Sequence, residues 1–195
     1  MLLILVRMFA LMVIVFAVGY LAIEVALLQK FGLFLGHPNY ALSVVLAVLL
    51  LASGVGSLWS AALVRAMGGQ LRFVSYALAG IVLLEYLVLL PRLPSLLGLP
   101  FAARVLVVCL LVFPIGCCLG VFVPTALERL KPEAPAFAPW AWGINGMFSV
   151  LAPLASIAVS MTWGISALLL AAVPVYLLVG WVYPLPAAVN PGPKP

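Results

Sequence analysis

"YALSVVLAVLLLASGVGSLWSAALV", residues 40–64, carries no charged side chain over 25 positions. As a helix rising about 1.5 Å per residue it would be roughly 37 Å long, more than the roughly 30 Å hydrocarbon core of a bilayer. The run is too long and too continuously apolar for a barrel strand, which needs about ten residues of alternating polarity. In lipid the backbone must satisfy its own hydrogen bonds, so the stretch is predicted to be a membrane-spanning α-helix.

Five further runs meet the same test, at roughly 7–29 or beyond, 72–91, 103–127, 140–161 and 164–183. The breaks between the six carry turn chemistry: "GHPN", "RAMGGQLR", "PRLPSLLGLP", "ERLKPEAPAFAP" and "TWG". The predicted fold is all-α, a polytopic six-helix transmembrane bundle over residues 1–184. The Pro-rich tail 185–195 is predicted to lie outside the membrane. The N-terminal "MLLILVRMFALMVIVFAVGYLA" has no basic residue ahead of its apolar stretch and is interrupted by Arg7. It is expected to be a retained helix rather than a cleaved signal.

Composition agrees. The chain is 68% apolar and 7% charged, against about half and about a quarter in soluble domains. It contains no Asp, which leaves carboxylate-based metal and acid/base sites little to be built from. Nine Lys and Arg give the net charge of +5 without forming a basic run. They are read as topology signals, and no nucleic-acid partner is expected. Cys109, Cys117 and Cys118 lie within one apolar run and are expected to be packing residues, with no metal and no cofactor predicted.

Six alternating helices place Arg7, Arg65, Arg72, Arg129, Lys131 and Lys194 on one side and Lys30, Arg92 and Arg104 on the other. The excess predicts both termini in the cytoplasm. Trp59, Trp140, Trp142, Trp181 and Tyr183 then fall near the inner interface and Trp163 near the outer one. Small residues predict close helix packing, at Gly54 and Gly56 within "SGVGSLWS", Gly116 and Gly120 in "GCCLG", and Gly143 and Gly146 in "GING". Pro114 and Pro124 are expected to kink their helix.

Few polar groups remain at membrane depth. Glu24 stands six residues before Lys30, and Glu85 seven before Arg92. Each carboxyl is thus roughly 10 Å inside a basic neighbour, and the two lie at similar depth. Two readings stay open. In one, Lys30, Arg92 and Arg104 bend inward and pair with the glutamates, tying helices together. In the other, Glu24 and Glu85 face each other and hold a small cation or share a proton, within a candidate polar site that includes Gln29, Lys30 and His37. His37 in "GHPNY" is expected to make a local hydrogen bond in a turn that starts the next helix. Trp140, Trp142 and Asn145 form a second candidate site at the inner face, where an anion could meet free N–H groups.

Three stretches carry a resemblance: "AIEVALLQKFGLFLGHPNYALSVVLAVLLLASGVGSLWS", "FPIGCCLGVFVPTAL" and "PWAWGINGMFSVLAPLAS". Together they resemble the membrane half of the large spermidine-synthase-like integral membrane proteins of bacteria. The resemblance covers roughly residues 15–180. Glu24, Gln29, Lys30, His37, Pro38 and Tyr40 match the family's first motif, and Trp140, Trp142, Gly143, Asn145 and Gly146 the later one. The soluble aminopropyltransferase-like domain of that family has no counterpart here, so no enzyme activity is carried over.

The expected function is that of a non-catalytic subunit of the bacterial inner membrane, in contact with lipid and anchoring a partner protein. The alternative is a transporter or channel element for a small cation such as a polyamine, using Glu24 and Glu85.

Overall fold

A computed structural model describes residues 2–66, 70–130 and 138–182 of the chain, with side chains placed for 17–66, 70–125, 139–140 and 142–179. The side chains of Arg7, Arg129, Lys131, Trp181, Tyr183 and Lys194, and the tail 185–195, lie outside the described set. Part of the orientation reading rests on those residues.

The described residues are almost all helical, without a strand among them. The helices are α1 (Leu2–Leu35), α2 (Pro38–Leu58), α3 (Ser60–Ala66), α4 (Leu71–Leu84), α5 (Phe101–Leu130), α6 (Ala138–Trp163) and α7 (Ile165–Val182). Between α4 and α5 the chain passes through a π-helical turn, Glu85–Leu89, and a 3-10 segment, Leu90–Leu96. Five stretches are long and apolar enough to cross a membrane: Ala17–Leu35, Pro38–Leu58, Leu71–Leu96, Phe101–Thr125 and Trp142–Trp163. They support a multi-pass membrane protein. The described part of α7, Ile165–Val179, is a shorter apolar helix.

Two of the predicted spans are not single regular helices. The run 40–64 breaks at Trp59, whose backbone leaves the helical region at φ −98° and ψ 6°. The break follows Gly54, Gly56 and Ser57, residues that favour the helix weakly and tolerate bending. The run 72–91 widens at Glu85. There the Leu90 N–H reaches back to the Glu85 carbonyl, five residues away, instead of the usual four. Pro91 follows directly. Its ring would strike the carbonyl four residues earlier in a regular helix, and widening the turn relieves that clash. α5, by contrast, continues as α-helix through Pro114 and Pro124.

Helices α1 and α6 end on Gly36 (φ 87°) and Gly164 (φ 90°). Each donates its N–H one turn back, Gly36 to Gly32 O at 3.1 Å and Gly164 to Ser160 O at 3.0 Å. This is a left-handed cap that suits glycine. It lets α2 begin at Pro38 and α7 one residue after α6.

Helix α1 is the hub, packing on α2, α5, α6 and α7. Its face of Ala22, Ile23, Ala26, Leu27, Phe31 and Phe34 is buried with the spacing of an α-helical stripe. The α2–α5 pair is the most extensive in the bundle, and α4 closes the other side against α5 and α7. Tyr176 of α7 is fully buried over the bare backbone of Gly19, and its ring lies 5.2 Å from that of Phe122 on α5.

The α2–α5 seam is backbone on backbone. A Cβ added to Gly56 would overlap the Cys117 carbonyl, and one added to Gly120 would overlap the Ser53 carbonyl. The glycine Cα–H groups therefore point at the facing carbonyls, a recurrent weak hydrogen bond between close helices. Gly116 meets the Ala52 methyl in the same seam. Gly54, Gly143 and Gly146, expected to pack in the same way, have open space where a Cβ would stand. Gly54 lies two residues from Gly56, more than half a turn round α2, so only one of them faces α5.

Candidate functional site

The polar residues gather at the end of the bundle where α1 stops and α5 begins. Arg104 on α5 donates from Nη1 to the Phe34 carbonyl at 3.1 Å. Phe34 belongs to the last turn of α1, where carbonyls lack intrahelical donors, so a guanidinium both satisfies one and meets the negative end of the helix dipole. Gln29 donates from Nε2 to Ser160 Oγ at 3.0 Å, joining α1 to α6 across 131 residues of sequence. Ser160 Oγ in turn donates to Ile157 O at 2.8 Å. Both joints use neutral or carbonyl acceptors.

His37 is the N-cap of α2. Its Nδ1 accepts from the Asn39 N–H at 3.1 Å while Pro38 fills the first helical position. The ring meets Tyr40 edge-on at 5.7 Å, and Tyr40 packs on Phe101 of α5 at 4.9 Å. Replacing His37 by Asn, another good capping residue, is expected to leave thermal stability nearly unchanged. His37→Ala is expected to cost about 1 kcal/mol, measured as a drop in the melting temperature. An equal loss for both variants would mean that the imidazole does more than cap.

The two glutamates are treated differently. Glu24 is half-buried on α1, one turn beyond Tyr20 and on the same face. Glu85 is only 2% exposed, and its Oε2 has no hydrogen-bond partner among the described residues. The turn that carries it packs on α4, the 3-10 segment and α7. The Glu85 turn has no substantial contact with α1, which carries Glu24, so the two carboxyls are not brought together as the facing pair of the second reading. The expected ion pairs are missing too. Among the described residues Lys30, Arg92 and Arg104 make no salt bridge to either glutamate. The reason is geometric: Arg104 is held by the α1 carbonyl, and Arg92 sits exposed in the 3-10 segment beyond the widened turn.

At the other end, Trp140 and Trp142 are exposed, at 69% and 58%. Asn145 lies two turns inside α6, beyond the first four N–H groups that an anion could reach. Its carbonyl accepts from Ser149 Oγ at 2.7 Å. The backbone N–H of Asn145 is therefore not one of the free helix-terminal donors on which the expected anion contact rests. Among the described residues no three His, Cys, Asp or Glu side chains come together.

Sequence reasoning missed the Gln29–Ser160 and Arg104–Phe34 joints and the widened turn at Glu85. For the turn a signal existed: a proline six residues after a buried acid, in an otherwise apolar helix. For the joints there was none, because partners 70 and 131 residues apart leave no trace in local spacing. Set against known proteins, the chain matches no family model, no curated protein and no solved structure.

Proposed function

We propose that this chain is a non-catalytic, six-span subunit of the bacterial inner membrane, with both termini in the cytoplasm, that holds a partner protein within the bilayer. The observation that carries the reading is the outer face of α6. This helix packs chiefly on α1 and α7, through Ala152, Ser156 and Ser160. Opposite them, Val150, Leu154 and Met161 are 67%, 63% and 82% exposed, and Gly143 and Gly146 stand in open space. A span that is large and apolar along most of its face, with two bare glycines near one end, admits close approach of a further transmembrane helix.

Two further features support it. Arg104, Gln29 and His37 each serve a helix joint or cap, which suits a structural chain. The resemblance to the membrane half of spermidine-synthase-like proteins fits a helical bundle that works beside a soluble protein. The sixth span would be α7, whose 18 residues reach about 27 Å, close to the hydrocarbon thickness. The alternative, a polyamine held between Glu24 and Glu85, lacks the facing pair it requires.

Native mass spectrometry of the tagged chain, extracted gently from its host membranes, tests the proposal. The expected result is a stoichiometric protein partner that is lost from Gly146→Leu while the variant still elutes as a folded particle. A chain that runs alone, or a partner unaffected by Gly146→Leu and by Gly143→Leu, would overturn it.

A further inference from the structure

We infer that Glu85 and the widened turn around it form an intramembrane site for a small monovalent cation, a hydrogen ion or an alkali metal ion, held by oxygen acceptors. Two independent observations meet there. The first is the carboxyl itself, 2% exposed with Oε2 unpartnered. An ionised carboxylate left alone at membrane depth is expensive, so the state that persists is one in which a cation accompanies it.

The second is the backbone. The Leu90 N–H is committed to Glu85 O. In that register the next carbonyl, Tyr86 O, would accept from residue 91, which is proline and has no N–H. Pro91 therefore removes one backbone donor from the turn that carries the Glu85 carboxylate. Broken or widened helices that turn carbonyls and helix C-termini toward a cation are the usual way a membrane protein builds such a site. No built-in cation competes. The titratable groups on the elements packed against the turn are Arg72, Tyr76, Tyr86, Arg92 and Tyr176, and among the described residues none of them makes a hydrogen bond or ion pair with the Glu85 carboxyl.

The site is independent of any partner, so it is tested on the wild-type chain in its native membranes. The probe is dicyclohexylcarbodiimide, which reaches carboxyl groups from the lipid phase. The O–H of a protonated carboxyl adds across one of the reagent's C=N bonds to give an O-acylisourea, whose acyl group shifts from oxygen to nitrogen to give a stable N-acylurea, read by peptide mass at residue 85. For a hydrogen-ion site, labelling of Glu85 falls about tenfold per pH unit once the carboxyl ionises, and salt has no effect. For an alkali-ion site, NaCl at fixed pH suppresses the label and choline chloride does not.

Glu24→Gln is expected to keep the response and Glu85→Gln to remove the adduct. No adduct at residue 85, or an adduct indifferent to both pH and NaCl, would overturn the inference.

Discussion

Gly120→Val is expected to prevent the bundle from assembling, with no monodisperse folded peak in detergent and a loss of stability of about 3 kcal/mol or more. Overpacking a core usually costs about 1–3 kcal/mol because side chains shift out of the way. Here the obstructing atoms are the carbonyl, carbonyl carbon and Cα of Ser53, which belong to helix backbone and have no rotamer to change. Relief would require α5 to move off α2. That motion would also part Gly56 from Cys117 and Gly116 from Ala52, since all three contacts lie along one seam.

The Cα–H···O contacts and the dispersion energy of the most extensive helix pair would go together. In lipid, close packing is a principal force between helices, so little would replace what is lost. Gly56→Val is expected to behave in the same way. Gly54→Val, two residues away with open space before it, should shift stability by no more than about 0.5 kcal/mol. Thermal unfolding followed by size-exclusion chromatography separates these outcomes, and a Gly120→Val protein as stable as the wild type would refute the seam.

The same glycines show how far a sequence of this kind is legible. Long charge-free runs announce membrane helices because lipid leaves the backbone few choices. The small-residue pairs were visible, and Gly116 and Gly120 do lie on one contact face. Spacing states only that two residues share a face, not which helix arrives there. "SGVG" and "GING" look alike on that criterion, yet Gly56 meets a neighbour's backbone while Gly143 and Gly146 meet nothing among the described residues. The polar residues followed the same rule. Their concentration near one end of α1 was readable from depth along the helices. Their partners were not, because charge arithmetic favours Glu–Arg pairs whereas Arg104 is held by the carbonyl of Phe34. Helix order in the bundle decides such choices, and it is not a local property of the sequence.

Glu85→Leu is expected to make the protein more stable, by about 1–3 kcal/mol, while removing its reaction with carbodiimide. The native side chain is buried with one oxygen undonated, and a buried polar group without a partner costs about that much. Leucine is close in volume and has no group to satisfy. It would sit beside Leu90 and Leu93, which are themselves buried in the core. Replacing buried ionisable groups with apolar residues of similar size is often stabilising for the same reason. Glu24→Leu supplies the contrast. Glu24 is half-buried and near Tyr20, so its loss should change stability much less.

The two signs together decide what Glu85 is for. A residue that ties helices together lowers the melting temperature when it is removed. A residue retained for binding at the expense of stability raises it. A Glu85→Leu protein that melts lower than the wild type would mean that the carboxyl has a structural partner after all, and the cation site would fall with it.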